Sequence, residues 1–314
     1  MKIVFFGSPD FSGLVLESLI NSKHQVVGVV TNEDKKVGRK QILTKTPVKI
    51  IAENHNIPVF QFHKIRLEGY ETLKSLNADI FITCAYGQII SKQILECAKF
   101  GTINVHFSLL PAYRGASPVQ SALLQGEKIT GVTIMRTDEG IDTGDIICQK
   151  SLEIESADNA QTLLNKLAIL GVSMLGGVLE SFENGTIKFT KQGDNFSYFG
   201  TIKKEDGLID FGKNSTQIEN KVKALYLWPN AYAFLNGKTL KIFKANAFEF
   251  CASKNYNLGE IVLADKTGLI VACGNNTFLK IDELQLEGGK RLFYKDFLNG
   301  NKNLLGTILN GNFA

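Results

Sequence analysis

A chain of 314 residues is too long for one small core and matches two domains of roughly 100 to 200 residues each. With 44% apolar and 21% charged residues it holds ample core material, which excludes a disordered or low-complexity protein. The net charge of +4 lies wholly from Lys203 onward, where 15 Lys and Arg stand against 11 Asp and Glu, a surplus too small by itself to name a polyanionic partner. The cysteines Cys84, Cys97, Cys148, Cys251 and Cys273 are odd in number and scattered, so neither a disulfide framework nor a zinc site is expected, and no metal. The apolar start MKIVFF is interrupted at Gly7, Ser8, Pro9 and Asp10, and no later segment reads as long enough to span a bilayer. A cytoplasmic protein with no membrane partner is expected.

In chain order, KIVFF (2–6) predicts a first strand, residues 10–20 a helix and HQVVGVVT (24–31) a second strand. ADIFITCAYG (78–87), TINVHF (102–107) and ITGVTIMR (129–136) read as further strands. Apolar runs separated by segments of helical period predict an α/β fold, a Rossmann-like and mostly parallel sheet with helices on both faces. Such sheets bind ligands at the carboxyl ends of their strands. Residues 156–185 predict a long helix capped by Asp158 and stopped at Gly185. Residues 186–207 are polar and aperiodic and read as a linker. The helix STQIENKVKALYL (215–227), ending at Trp228-Pro229, then leads into closely spaced hairpins with a strong turn at Asn236-Gly237 and weaker ones at 265–268 and 274–276. These predict a small C-terminal β-barrel or sandwich. The expected division is a domain over 1–187, a linker over 188–205 and a second domain over 206–314.

Three stretches carry candidate chemistry. In INVHFSLLPAYRG (103–115) the period of 2 puts Asn104 and His106 on one face of a strand and Ile103 and Val105 on the other. That face carries a donor amide beside an imidazole able to donate or accept near neutrality, or else simply caps a loop. In RTDEGIDTGDI (136–146), Gly140 and Gly144 let the backbone approach a ligand, and Asp142 is the acid that stands out; a solvated acidic loop is the alternative. KKVGRKQILTKTPVK (35–49) holds Lys35, Lys36, Arg39, Lys40, Lys45 and Lys49 and no acid, with Gly38 as a hinge. It is either a solvated loop or a phosphate-contacting one.

Taken with FFGSPDF (5–11), CAYGQII (84–90), SLLPAYRG (108–115) and GVTIM (131–135), the chain resembles the folate-dependent formyltransferase family over essentially its whole length. The resemblance implies transfer of a formyl group from N10-formyltetrahydrofolate to an amine, with Asn104, His106 and Asp142 as catalytic residues. Amine attack on a formyl carbon develops a negative oxygen and a positive nitrogen, so the site needs a donor for the first and a proton acceptor for the second. Asn104 suits the donor. His106 suits either task, and Asp142 orients the imidazole, holds its charged form or relays the proton. The implied folate pocket comprises Tyr86, Gly87, Gln88, Ile89 and Ile90 with the loop Glu139, Gly140, Ile141, Thr143, Gly144 and Asp145. The turn Ser108, Leu109, Leu110 and Pro111 shapes the same cavity, with Arg114 as a structural anchor or an anion contact.

The basic loop and LYLWPNAYAFLNG (225–237) resemble the members whose acceptor is methionine charged on initiator tRNA. Lys35, Lys36, Arg39, Lys40 and Lys45 would then contact the tRNA, Arg39 at its acceptor end. An OB-like barrel would hold the tRNA body through residues such as Lys203, Lys204, Lys241 and Lys244, and a monomer is expected. Two positions depart from the family pattern, which usually has glycine where this chain has Phe107 and Lys40; a bulky Phe107 beside His106 is expected to narrow or reshape the cavity. The rival readings are a formyltransferase acting on an amino sugar nucleotide, a hydrolase that releases formate, and a nucleic-acid-binding module without catalysis. A dinucleotide-dependent dehydrogenase is disfavoured, because FFGSPDF lacks the second and third glycines of that fingerprint.

Overall fold

The computed structural model describes residues 1–38, 41–252 and 254–310, so Arg39 and Lys40 of the basic loop lie outside the described residues. The chain forms two compact units, one from Met1–Pro118, Ile129–Ile154 and Leu164–Gly200, the other from Val119–Lys128, Glu155–Leu163 and the chain from Thr201.

The first unit is built on a seven-stranded sheet of β1 (Lys2–Gly7), β2 (Gln25–Thr31), β3 (Val59–Gln61), β4 (Ile80–Cys84), β5 (Thr102–His106), β6 (Ile129–Arg136) and β7 (Ile146–Glu153), in the order β7-β6-β5-β4-β1-β2-β3. The first five strands run parallel, whereas β6 and β7 are antiparallel to their neighbours. Ile3, Val4, Phe5, Phe6, Ile80, Phe81 and Ile82 are almost wholly buried, which is why these strands read as continuous apolar runs rather than alternating ones. Helix α1 (Asp10–Ile20) buries Val15, Leu16 and Leu19. Helix α2 (Pro47–Asn54) starts where the Thr46 side chain accepts the Lys49 N–H at 3.2 Å, with Pro47 pre-set for the first turn. Strand order reverses between β1 and β4, so the crevice of such a sheet opens beside Gly7, Cys84 and His106, the last residues of β1, β4 and β5.

Helix α3 (Ala160–Glu183) corrects two expectations. Its cap is Asn159, whose Oδ1 accepts the N–H groups of Gln161 (2.9 Å) and Thr162 (3.1 Å). Asp158 lies one residue too early and binds the Glu155 N–H and the Thr162 hydroxyl instead. The helix also has 24 residues and a mean hydropathy of 1.6 in its apolar window, so among the described residues one segment is long and apolar enough to cross a membrane. In the structure its Leu167, Leu175, Leu179 and Phe182 are buried in protein.

In the second unit, helix α4 (Ser215–Ala224) begins with a reciprocal capping box between Asn214 and Gln217 and stops short of the expected Leu227. Strands β8 (Ala231–Leu235), β9 (Lys238–Phe248), β10 (Ile261–Ala264), β11 (Leu269–Cys273) and β12 (Thr277–Leu286) form an antiparallel sheet in the order β8-β9-β12-β11-β10. Asn236 (φ 49°) and Gly237 (φ 79°) make the tight turn that the β8–β9 hairpin requires. The two edge strands are covered by one segment. Asn310 bonds Phe234 of β8 in both directions (2.9 and 2.8 Å), Thr307 accepts from Ile261 of β10, and Leu309 donates to Gly259. Pairing of this kind shields part of each edge ladder.

Candidate active site

The pairing of β4 with β5 sets Thr83 opposite Asn104, and the Thr83 hydroxyl donates to Asn104 Oδ1 at 2.8 Å. With its oxygen engaged, the Asn104 amide has its Nδ2 left to donate to something else. Two residues on, His106 is 5% exposed, and its Nε2 lies 3.0 Å from the Tyr113 carbonyl. A carbonyl oxygen only accepts, so Nε2 carries the hydrogen and Nδ1 is the nitrogen that takes up or gives up a proton.

Tyr113 reaches that position because the turn after β5 is locked from several sides. Ser108 donates its hydroxyl to the Ala112 carbonyl (2.7 Å). The Thr133 hydroxyl donates to Ser108 O and accepts the Leu110 N–H. Gln149 adds donors to Leu110 O (2.7 Å) and Thr133 Oγ1 (2.9 Å). Tyr113 itself adopts φ 61° and stacks on Phe199, with centroids 5.1 Å apart and planes inclined by 17°.

Asp142 arrives from the loop after β6, held at φ 53°. Its Oδ2 accepts the Gly115 N–H at 2.8 Å, and its Oδ1 stands 3.6 Å from His106 Nδ1. The loop needs its glycine at 144, where a Cβ would lie 1.8 Å from the Arg136 carbonyl oxygen. Asn104, His106 and Asp142 thus gather at the carboxyl end of β5. A donor amide, a basic nitrogen and a carboxylate fixed beside that nitrogen suit the two charges of an amine attacking a carbonyl carbon.

The residues expected around folate fall into separate groups. Glu139, Gly144 and Asp145 line a cavity of about 310 Å³ together with Leu95, Thr102, Arg136 and Thr137. The Thr137 hydroxyl is buried and has no hydrogen-bond partner among the described residues. Gly140, Ile141 and Thr143 sit on the outer, exposed side of the same loop. Gln88 and Ile89 line a different depression of about 420 Å³ with Lys35, His63, Lys64 and Arg66. Gln88 is already engaged, accepting from the Ile65 N–H and donating to Asn32 Oδ1 and Phe62 O. Tyr86 turns its ring into the core against Phe6, where burial pushes its hydroxyl far above the usual range; only its carbonyl is used locally, accepting from Asn32 at 2.7 Å. Gly87 makes the positive-φ turn (φ 82°), and Ile90 packs against the core. Ser108 and Leu110 are buried within the 108–115 turn, around the cis Leu110–Pro111 bond, and Leu109 packs over Gly131.

Phe107 does not narrow the cavity. The alternation that brings Asn104 and His106 to one face sends Phe107 to the other, where it is buried with its ring 5.5 Å from Phe11. Arg114 is an anchor: its Nε and Nη2 donate to Gln192 Oε1 at 3.0 and 2.8 Å, and its guanidinium lies over Phe196.

In the basic stretch, residues 35–37 and 42–44 form a two-stranded ribbon that leaves Lys35 and Lys36 exposed. Lys45 pairs with Glu53 at 2.7 Å. Lys49 is mostly buried and bonds Asp34 (2.7 Å) and Gln61 (2.8 Å), and Lys49 followed by Gln61 holds the Asp34 carboxyl below its usual range. In the second unit Lys241 donates to Asn230, and Lys244 lines a depression with Tyr226, Phe243 and Arg291.

Sequence reasoning missed Thr83, the Tyr113 carbonyl and the whole segment 190–199. This segment belongs to the first unit, where Thr190 pairs with Ile146 and Tyr198–Phe199 pairs in parallel with Arg114–Gly115. Ser197 accepts the Tyr113 N–H on its hydroxyl at 2.8 Å. A polar, aperiodic stretch carries no local signal of such pairing; only the spacing of Arg114 from its partners in space reveals it.

Comparison with known proteins agrees with this chemistry. A formyl transferase family model matches residues 1–179, and a model of the formyl transferase C-terminal domain matches residues 201–302. The methionyl-tRNA formyltransferase of Geobacter metallireducens is 43% identical over 302 residues, covering 96% of this chain and 96% of that protein. That of Bacillus subtilis is 42% identical over 313 residues, covering 99% and 98%. Among solved structures, the sugar 3N-formyl transferase WlaRD, determined with dTDP and 5-N-formyl-THF, aligns at a TM-score of 0.65 and 26% identity over 92% of this chain and 99% of that one. Matched in order by both models and nearly end to end by these relatives, the chain belongs to the formyl transferase family.

Proposed function

We propose that this chain transfers the formyl group of N10-formyltetrahydrofolate to the amino group of methionine charged on initiator tRNA, giving formylmethionyl-tRNA for translation initiation. We assign residues 1–187 to catalysis, with the segment 190–199 packed onto the same site, and 206–314 to holding the tRNA. The observation that carries the reading is the constellation at β5: an Asn104 amide with its oxygen held by Thr83, and a His106 whose Nδ1 stands 3.6 Å from Asp142. The nearly full-length likeness to proteins named methionyl-tRNA formyltransferase supports the choice of acceptor.

The folate supplies an activated formyl group on nitrogen. In the transfer a bond forms between the acceptor amine and the formyl carbon, the bond from that carbon to N10 breaks, and the amine's proton is returned to N10, with no oxidation or reduction. Asn104 Nδ2 donates to the formyl oxygen as it gains charge. His106 Nδ1 takes the proton from the amine, while Asp142, itself held by the Gly115 N–H, keeps the imidazole oriented and balances its positive charge. Because Nε2 is committed to Tyr113 O, the proton has one nitrogen to use.

The cavity of about 310 Å³ suits a flat, nitrogen-rich ring in size and polar lining, since the carboxylates of Glu139 and Asp145 can accept from ring N–H groups and the buried Thr137 hydroxyl has no partner among the described residues. Lys35 and Lys36 suit the phosphates of the tRNA. The test is a formyl-transfer assay with N10-formyltetrahydrofolate, supplying methionine-charged initiator tRNA and an amino sugar nucleotide as separate acceptors. Formylation of the tRNA alone is the expected result. Formylation of the sugar alone, or release of formate with neither acceptor, overturns it.

A further inference from the structure

We infer that Gln192 is a positioning residue that sets Asp142 against His106. Its side-chain amide is saturated at both ends. Nε2 donates to the carbonyls of Asp142 and Gly144, both at 2.8 Å, and Oε1 accepts from Arg114 Nε and Nη2 at 3.0 and 2.8 Å. Arg114 sits between Tyr113, whose carbonyl holds His106 Nε2, and Gly115, whose N–H holds Asp142 Oδ2. One side chain therefore joins the two loops that orient the base and its carboxylate.

The Asp142 loop needs such a restraint. A non-glycine residue at φ 53° is sparsely populated, and it persists where surrounding bonds over-determine it. Gln192 supplies two of those bonds on the main chain, while the Gly115 N–H acts on the side chain. Gln192 is itself anchored, because Thr190 exchanges two main-chain bonds with Ile146 (2.7 and 2.8 Å) and Ser197 O accepts the Arg114 N–H (2.9 Å). The position asks for a glutamine specifically. Glutamate keeps the acceptor for Arg114 but sets a carboxylate against two carbonyls; asparagine is one methylene too short to reach both loops; lysine has no acceptor for the guanidinium.

This role rests on the formyl-transfer reading of the site, and its test includes a readout that needs no turnover. In Gln192→Glu and Gln192→Ala, at a pH where the wild type is folded and active, the ¹⁵N shifts of the His106 ring and the exchange rate of the Gly115 amide are measured without substrate, and kcat and KM are measured with both substrates. We expect altered His106 shifts, faster Gly115 exchange and a kcat roughly 10- to 100-fold lower, with KM values within about twofold of the wild type. The glutamate variant should be no better than the alanine one although it retains Arg114's acceptor.

Wild-type His106 shifts and kcat in the glutamate variant overturn the inference. So does a loss of activity that merely tracks the folded fraction seen by circular dichroism, or one that appears wholly in KM. If the wild-type protein formylates no tRNA, the proposed function fails, while the His106 and Gly115 measurements still decide whether Gln192 sets the geometry.

Discussion

The turn that holds His106 and the ribbon of residues 35–37 and 42–44 both belong to the first unit, yet they are built in opposite ways. Around His106, Thr83 of β4 and Tyr113 and Gly115 of the turn each hold one atom of Asn104, His106 or Asp142. In the ribbon Lys35 and Lys36 stand exposed with no acidic partner among the described residues, beside exposed Val37, Ile42 and Leu43. Groups that stabilise a developing charge work only if already oriented, because reorienting them during the reaction costs the energy they would contribute. Cations that meet a polyanion work by displacing its counterions, and must be unpaired and solvated beforehand.

The contrast is open to attack, most strongly at the turn. Asn104→Ala removes a preorganised donor worth about 2.7 to 4 kcal/mol of barrier, so kcat should fall roughly 100- to 1000-fold while KM for the tRNA stays put. A rise in KM alone would mean that Asn104 binds rather than catalyses. Thr83→Val keeps the shape beside Asn104 but deletes the hydroxyl that holds its oxygen, and steady-state kinetics should show a kcat about 10-fold lower.

At the ribbon, Lys35→Ala with Lys36→Ala should leave kcat unchanged, raise the apparent KM for tRNA several-fold at about 0.1 M salt, and lower the slope of log affinity against log salt by about 1 per lysine. Equal losses in kcat would erase the distinction between the two regions.

The smallest effect sharpens the contrast within the basic stretch itself. Lys49 is a mostly buried partner of Asp34, and its expected contribution is to stability. Asp34 is held below its ordinary range in the folded protein, so its contribution is present above the unfolded-state value of about 4 and is lost as pH falls through the folded-state value. Asp34→Asn should cost about 1 kcal/mol in urea unfolding at neutral pH, and this gap to the wild type should close in acid. A gap that persists in acid would show that the shape of the side chain matters, and its charge does not.

The parts legible in the chain were those with local periodicity. Buried strands announce themselves as apolar runs, the alternation in INVHF assigns Asn104 and His106 to one face, and Asn236-Gly237 marks a hairpin. Local reading went astray by one residue at the cap of α3, because Asp158 and Asn159 are both good caps and only the hydrogen bonds choose between them. It misjudged Phe107 by considering its neighbour along the chain instead of the pleat, which sends successive side chains to opposite faces.

By itself the sequence determined the α/β pattern, the strand end that carries Asn104 and His106, and the acidic loop that carries Asp142, since each depends on spacings of a few residues. Tertiary structure alone decided how those groups are held. The bonds from Thr83 to Asn104, from Gly115 to Asp142 and from Arg114 to Gln192 join residues 21, 27 and 78 positions apart. No periodicity reaches across such distances, because the pairing of these groups follows from sheet order and loop closure, which exist only once the whole unit has folded.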